Sequence, residues 1–164
     1  MKIFLGADHG GFALKEKAKQ WLMEWGFDYQ DCGAVTLNPE DDYPQLAFKV
    51  ARRVVAITSS RVNTSANKTD LPAVGILFCR SSGGMIIAAN KIRGIRAVGV
   101  NSLREVVHAR EHNDANVISL AGDRLDEATA KTLLETFLKT NFTHQPRHVR
   151  RIKQIEEYET NQGR

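Results

Sequence analysis

Short apolar runs alternate with amphipathic segments along the chain, and this alternation constrains the fold more than any other feature of the sequence. Residues 2–7 and 73–79 are almost continuously apolar and have the length of strands buried on both faces. Between such runs, apolar residues recur at steps of three and four, as in Leu14, Ala18 and Leu22, which is typical of helices that cover a sheet. Strands separated by helices pair in parallel. The sequence therefore predicts an α/β fold, a Rossmann-like three-layer αβα sandwich with a five-stranded parallel sheet.

The same patterns predict the bounds of the individual elements. Strands are expected at 2–7, 27–31, 73–79, 95–100 and 116–121. Helices are expected at 14–25, 44–57, 85–92, 103–111 and 126–138, followed by a C-terminal helical tail at about 146–159. The polar, aperiodic segment at about 58–72 is predicted to be a mobile surface loop. With 164 residues, the whole chain, 1–164, has the length of a single domain.

Composition excludes several classes of protein. Hydrophobic residues make up 42% and charged residues 26% of the chain, which is typical of a globular protein and excludes disorder throughout. No apolar run has the length of a membrane span, so we expect no membrane partner and a cytoplasmic location. Cys32 and Cys79 lie far apart without a CxxC motif, so we expect two free thiols rather than a disulfide or a metal site.

A basic cluster lies in the predicted tail helix and contributes to the net charge of +4; it consists of Arg147, Arg150, Arg151 and Lys153. By composition alone, this cluster is best interpreted as the solvated face of a helix. An anion site stays open as an interpretation. A nucleic-acid interface is the weakest interpretation, because the cluster lacks interleaved aromatic residues that would stack on bases.

Two turns at the carboxyl ends of strands, where such sheets bind ligands, carry reactive side chains. Cys79 ends a strand and is followed by a Ser/Gly-rich turn that opens a helix. Backbone N–H groups and the helix dipole there are expected to lower the thiol pKa, although a strand-end cysteine is also common as a small buried hydrophobe. Asp8 and His9 end the first strand and precede Gly10 and Gly11, which suits either a ligand site or a helix cap. Walker, dinucleotide-binding and phosphatase-type motifs are absent from these turns.

A third group of polar residues lies at 110–116, before the last predicted strand. His112 and Asn113 are candidate site residues, and a solvated loop is the equally compatible alternative. His108, one helical turn earlier, is expected to be an ordinary residue of the helix surface.

Several motifs occur in order over nearly the whole chain. They are Gly6-Ala7-Asp8-His9-Gly10-Gly11-Phe12, Asp42-Tyr43-Pro44, Gly75-Ile76-Leu77-Phe78-Cys79, Ala88-Ala89-Asn90-Lys91 and His112-Asn113-Asp114-Ala115-Asn116. Together they resemble the ribose-5-phosphate isomerase B family, which includes the galactose-6-phosphate isomerase subunits. The resemblance implies a single sugar-phosphate isomerase domain that interconverts ribose 5-phosphate and ribulose 5-phosphate without a metal or another cofactor.

The resemblance also implies roles for individual residues. Cys79 is the base that moves a proton between C1 and C2 through an enediolate, and His112 opens the sugar ring. Donors to the enediolate oxygen are expected from the turn formed by Ser81, Ser82, Gly83 and Gly84. Ser81 stands where the family usually has threonine. Asp8 and Asn113 are expected to hold sugar hydroxyls.

A shared site between two subunits is a further implication of the resemblance. The residues expected to bind the phosphate are Arg147, Arg151, Arg124 and His9. One chain is expected to supply Asp8, His9 and Cys79, and its neighbour His112, Asn113 and Arg124. A homodimer is therefore the minimum active unit, and two dimers could pair into a tetramer.

The sequence departs from the family pattern in two places. Arg80-Ser81-Ser82 stands where the family has Gly-Thr-Gly, so a positive φ in this turn would be strained. Arg80 either faces solvent or adds a charge beside the thiolate. The second departure is the polar insertion at 58–70. Two alternatives to a pentose-phosphate isomerase follow: the same chemistry on a hexose 6-phosphate such as allose or galactose 6-phosphate, or a non-catalytic sugar-phosphate-binding protein.

Overall fold

The computed structural model of the protein describes residues 1–61 and 71–161 and contains the predicted parallel sheet with helices on both faces. The strands are β1 (Lys2–Ala7), β2 (Tyr29–Asp31), β3 (Ala73–Cys79), β4 (Ala97–Gly99) and β5 (Val117–Ala121). The helices are α1 (Phe12–Glu24), α2 (Tyr43–Arg61), α3 (Gly83–Ala89), α4 (Leu103–Glu111), α5 (Glu127–Lys139) and α6 (Pro146–Asn161). The strand order is β2-β1-β3-β5-β4, and every pairing is parallel. The predicted α/β sandwich is confirmed.

The sheet separates two hydrophobic cores, because successive side chains of a strand point to opposite faces. In β3, Ile76 and Phe78 join the core formed with α1, α4 and α5, whereas Leu77 and Cys79 join the core formed with α2 and α3. All residues of β3 are buried, which explains why its sequence is a continuous apolar run.

Several element bounds differ from the predicted ones. Strands β2 and β4 are shorter, and α3 covers Gly83–Ala89 instead of 85–92. Helix α3 ends at Ala89, and the side chain of the next residue, Asn90, bonds to the backbone N–H and carbonyl of Ala97. The predicted loop at about 58–72 is wrong for 58–61, which continue α2 as helix, whereas Leu71 and Pro72 lie outside helix and strand as predicted. Residues 62–70 lie outside the described residues.

Helix α6 lies at the amino edge of the sheet, near the start of β4. The Glu159 carboxylate accepts a hydrogen bond from the backbone N–H of Gly94 at 2.9 Å, and the Glu159 carbonyl accepts one from Arg93. Most of its apolar side chains are not covered: Ile155 is 51% exposed and Tyr158 is 63% exposed. Within the described ranges, no helix is long and apolar enough to cross a membrane.

Candidate active site

The turns after β1 and β3 bring a carboxylate and a thiol together at the carboxyl edge of the sheet. Ala7 pairs with Phe78, so the next residues, Asp8 and Cys79, emerge side by side. The Cys79 thiol donates a hydrogen bond to Oδ2 of Asp8 at 2.9 Å, and Oδ1 of Asp8 accepts one from the backbone N–H of Gly11 at 2.9 Å. Asp8 is 6% exposed and Cys79 is 7% exposed. The expectation that both residues lie at one sheet edge is confirmed.

Gly11 makes this contact possible. A Cβ atom at position 11 would lie 2.1 Å from the carbonyl carbon of Phe78, a backbone atom of β3 that cannot move aside. Only glycine lets the first turn approach β3 so closely. The N–H of Gly11 thereby reaches Asp8 and holds its carboxylate against the Cys79 thiol.

The thiol of Cys79 is less acidic than the sequence predicts. Burial raises its pKa, and the hydrogen bond to Asp8 and the Asp8 charge raise it further. Hydrogen bonds from the backbone N–H groups of Ser81 and Ser82 lower the pKa, as the turn predicts, but they do not compensate for burial and the carboxylate. The predicted fall of the Cys79 pKa is therefore wrong in direction.

In the turn after Cys79, the backbone strain expected from its composition occurs at one residue, Ser82. Ser82 has φ 68° and ψ −33°, a backbone conformation that disfavours a side chain, whereas Arg80 is not among the described residues with positive φ. The Ser82 hydroxyl is buried and has no hydrogen-bond partner in the described part of the chain. The serine therefore carries both a backbone penalty and an unpaired polar group.

Arg80 extends over the first turn. A Cβ atom added at Gly10 would lie 2.3 Å from Cγ of Arg80, so the aliphatic part of the arginine packs directly on this glycine. Its guanidinium is not among the charges that shift the pKa of Cys79, and the residue is exposed. Of the two expectations for Arg80, the structure supports the side chain that faces solvent.

Two further candidates, His9 and Arg124, lie at the same edge. Oδ1 of Asp41 accepts a hydrogen bond from the backbone N–H of His9 at 3.0 Å and lies 2.8 Å from Nδ1 of the His9 ring. Arg124 is exposed and follows β5, whose last residue, Ala121, pairs with Cys79. The expected grouping of Arg124 with His112 of a neighbouring chain is therefore wrong, because Arg124 lies at the Cys79 edge of its own chain.

His112 and Asn113 lie at the opposite, amino edge, since they precede β5. They line a cavity of about 410 Å³ that also includes Arg151 of α6, together with apolar side chains of β4 and α6. Partial burial lowers the pKa of His112 below its ordinary value, and the neighbouring imidazoles of His108 and His148 and the guanidinium of Arg147 lower it further. The His112 imidazole is therefore predominantly neutral at pH 7.

An ion-pair network fixes the segment that carries His112. Asp114 accepts hydrogen bonds from Arg96 at 2.7 Å and from Arg110 at 2.8 Å, and it adopts φ 45°. Arg110 is nearly buried and also donates to the carbonyls of Thr140 and Ala115. The polar residues 110–116 are thus a structured turn rather than a solvated loop.

Two histidines at this edge carry no functional signal in the sequence. His108 lines the cavity with its ring centroid 4.0 Å from that of His112, so it is more than an ordinary surface residue. His148 is buried, with its ring centroid 4.3 Å from that of His112. Helical spacing alone could not identify His148, because only the docking of α6 brings it to His112.

The candidate residues thus form two groups in one chain. The carboxyl-edge group contains Asp8, His9, Cys79, Ser81, Ser82, Gly83, Gly84 and Arg124, and the amino-edge group contains His112, Asn113, Arg147 and Arg151. Strand β5, with 5 residues, separates the two edges, a distance of ~16 Å at ~3.3 Å per residue. Among the described side chains, no group of three or more His, Cys, Asp or Glu residues could hold a metal ion.

Comparison with known proteins agrees with this architecture. The Ribose/Galactose Isomerase family profile matches residues 3–155. The chain is 35% identical over 159 residues to ribose-5-phosphate isomerase B of Mycobacterium tuberculosis, covering 97% of this chain and 90% of the relative. The crystal structure of ribose-5-phosphate isomerase B from Mycoplasma genitalium with bound ribulose-5-phosphate superposes with a TM-score of 0.83 at 34% identity, covering 97% of this chain and 96% of that one. The crystal structure of the Thermotoga maritima ribose 5-phosphate isomerase superposes with a TM-score of 0.81 at 36% identity, covering 95% of this chain and 97% of that one. The resemblance inferred from the motifs is confirmed, and the chain belongs to the Ribose/Galactose Isomerase family.

Proposed function

We propose that the protein is an aldose–ketose isomerase that interconverts ribose 5-phosphate and ribulose 5-phosphate. The observation that carries this proposal is the buried Cys79 thiol, 2.9 Å from the Asp8 carboxylate, at the edge of the sheet where parallel α/β folds bind ligands. Membership of the Ribose/Galactose Isomerase family supports the same reaction class.

Cys79 is the base of the proposed reaction. Asp8 is the group that can take the thiol proton, since it already accepts the hydrogen bond from Sγ. The thiolate removes the C2 proton of the open-chain aldose, which forms an enediolate, and the same proton returns to C1. A proton moves from the C2 hydroxyl to the C1 oxygen, so the aldehyde becomes an alcohol and C2 becomes the ketone. The N–H groups of the turn after Cys79, at Ser81, Ser82, Gly83 and Gly84, stabilise the developing charge.

His112 opens the sugar ring before this step. Its lowered pKa keeps the imidazole neutral at pH 7, so it can take the proton of the C1 hydroxyl and give that proton to the ring oxygen as the bond between C1 and the ring oxygen breaks. Asn113 and Asp8 bind sugar hydroxyls. Arg147 and Arg151, four residues apart on α6, bind the phosphate with help from His9 and Arg124.

The proposed site needs two copies of the chain. His112 and Cys79 lie at opposite edges of the sheet, and a pentose phosphate is too short to touch both in one subunit. In a homodimer, the amino-edge group of one subunit can meet the carboxyl-edge group of the other. A tetramer formed from two such dimers is the alternative assembly.

Mixing two inactive variants tests the shared site. Cys79→Ala and His112→Asn homodimers are each expected to be inactive. After subunit exchange, activity should recover to about a quarter of the wild-type value, because about half of the dimers are heterodimers with one intact site each. A mixture that exchanges subunits, shown by mass spectrometry, but stays inactive would contradict the shared site.

The substrate is tested by kcat/KM on ribose 5-phosphate, allose 6-phosphate and galactose 6-phosphate, with Cys79→Ala as the control. We expect the highest value for ribose 5-phosphate. A hexose 6-phosphate is the second candidate, because the matched family includes galactose isomerases. Tight binding of these sugars without exchange of the C2 proton with solvent would instead identify a non-catalytic binding protein.

A further inference from the structure

His148 is a buried polar residue to which neither the reaction proposed above nor the sequence motifs assign a role. It lies in the first turn of α6 and is 3% exposed. Among the described residues of that helix, it is the only one that is buried. A histidine in such surroundings must satisfy both ring nitrogens with hydrogen bonds.

The hydrogen bonds define the tautomer of His148. The Thr143 hydroxyl donates its proton to the Glu111 carbonyl at 2.7 Å, so its oxygen accepts from Nδ1 of His148, 3.2 Å away. On the other side of the ring, Nε2 accepts a hydrogen bond from Nε–H of Arg147 at 3.1 Å. Nδ1 therefore carries the proton and Nε2 carries none. The ring is neutral, and its free lone pair points at the guanidinium.

This contact tethers Arg147 by the inner nitrogen of its guanidinium. The two terminal nitrogens of the fork stay available to an anion, and no carboxylate lies within salt-bridge distance of Arg147 in the described parts of the chain. An untethered arginine loses ~2 kcal/mol of side-chain entropy when it is fixed on a ligand, and a preformed tether reduces that cost. The same His148 ring packs against His112 at 4.3 Å, so one side chain fixes the position of both neighbours.

We infer that His148 is a positioning residue for the phosphate group: as the Nδ1–H tautomer, it holds Arg147 by Nε and thereby orients the guanidinium fork for a phosphate. This inference rests on the proposed function for the role of Arg147. It assigns no contact between His148 and the substrate.

A double-mutant cycle with inorganic phosphate as the probe tests this role, read by calorimetry on the full chain. His148→Phe fills the ring volume and removes both nitrogens, and we expect it to weaken phosphate binding ~10-fold. Arg147→Met should weaken binding by at least as much. If His148 acts through Arg147, the double variant should bind within about twofold of Arg147→Met alone. Losses that multiply would overturn the inference.

Matched controls separate positioning from a general effect on α6. His144→Gln and Arg150→Met change exposed neighbours and should leave phosphate binding unchanged. His148→Gln keeps an acceptor and a donor and should recover most of the affinity lost in His148→Phe. In isomerase assays, His148→Phe should raise KM ~10-fold and change kcat much less, because phosphate binding is uniform along the reaction.

The tautomer has its own readout. In ¹⁵N NMR spectra of the wild type, Nδ1 of His148 should be protonated and Nε2 unprotonated at pH 7, and a protonated Nε2 would overturn the inference. A protein that binds phosphate through Arg147 and His148 but converts no sugar phosphate would contradict only the proposed reaction. Independent effects of the two residues in an active isomerase would contradict only the positioning role.

Discussion

Replacing Ser82 by glycine should make the protein more stable, although it shortens a buried side chain. Ser82 has φ 68°, and its hydroxyl is buried without a partner in the described part of the chain. A non-glycine residue in such a region costs ~1–3 kcal/mol, and a buried unpaired hydroxyl costs another ~1–3 kcal/mol. Glycine opposes these gains by ~1 kcal/mol because it is more flexible in the unfolded chain. Loss of the buried Cβ contacts of Ser82 reduces the gain in stability further, which leaves a net stabilisation of ~2 kcal/mol for Ser82→Gly.

Thermal unfolding at a fixed protein concentration measures this effect. For a chain of this length, ~2 kcal/mol corresponds to a rise in Tm of ~4–8 °C. Ser82→Ala removes the hydroxyl but keeps a Cβ atom at positive φ, so its Tm should lie between those of the wild type and Ser82→Gly. Ser81→Gly is the matched control: Ser81 is exposed and is not among the positive-φ residues, so glycine should cost ~0.5–1 kcal/mol there. A Tm of Ser82→Gly at or below the wild-type value would refute the reasoning.

Three further outcomes follow from the contacts of the site. Asp8→Asn in a Cys32→Ala background should lower the pH midpoint of Cys79 alkylation by iodoacetamide, because the Asp8 carboxylate raises the thiol pKa; an unchanged midpoint would exclude this cause. Gly11→Ala should destabilise the fold by ~3 kcal/mol in urea unfolding, since its Cβ would overlap the Phe78 backbone, whereas Gly83→Ala, with open space around it, should not destabilise it. Asp114→Ala should cost ~3 kcal/mol because it leaves the nearly buried Arg110 unpaired, and a loss below ~0.5 kcal/mol, as expected for an exposed pair, would contradict the network.

The sheet and its order of elements follow from local sequence patterns. Continuous apolar runs can be buried only as central strands, and β1 and β3 have the bounds that their composition predicts. The ends of short edge strands are harder to predict. Strand β4 keeps only Ala97–Gly99, because Ile95 and Val100 are apolar and buried but lie outside the residues that pair with β5. The end of α2 is also difficult to predict, because Thr58 and Ser60 are typical of loops, whereas in the structure their hydroxyls donate hydrogen bonds to helix carbonyls.

The candidate site, like the fold, can be predicted from the sequence only in part. The meeting of Asp8 and Cys79 follows from sequence, because parallel strands place their carboxyl ends at one edge. The sign of the Cys79 pKa shift does not, since it depends on how deeply the thiol is buried and on the 2.9 Å contact with Asp8. The placement of Arg124 at the same edge of the sheet as Cys79, rather than with His112, likewise depends on the pairing of β5 with β3.

By itself, the sequence determined the class of fold, the family and the residue types at the two sheet edges, because periodicity and motif order are properties of neighbours along the chain. Only the tertiary structure decided that Ser82 is strained, that His148 holds Arg147, and that His112 and Cys79 lie at opposite edges of one subunit. Burial, backbone conformation and contacts between distant segments exist only after the helices have packed on the sheet.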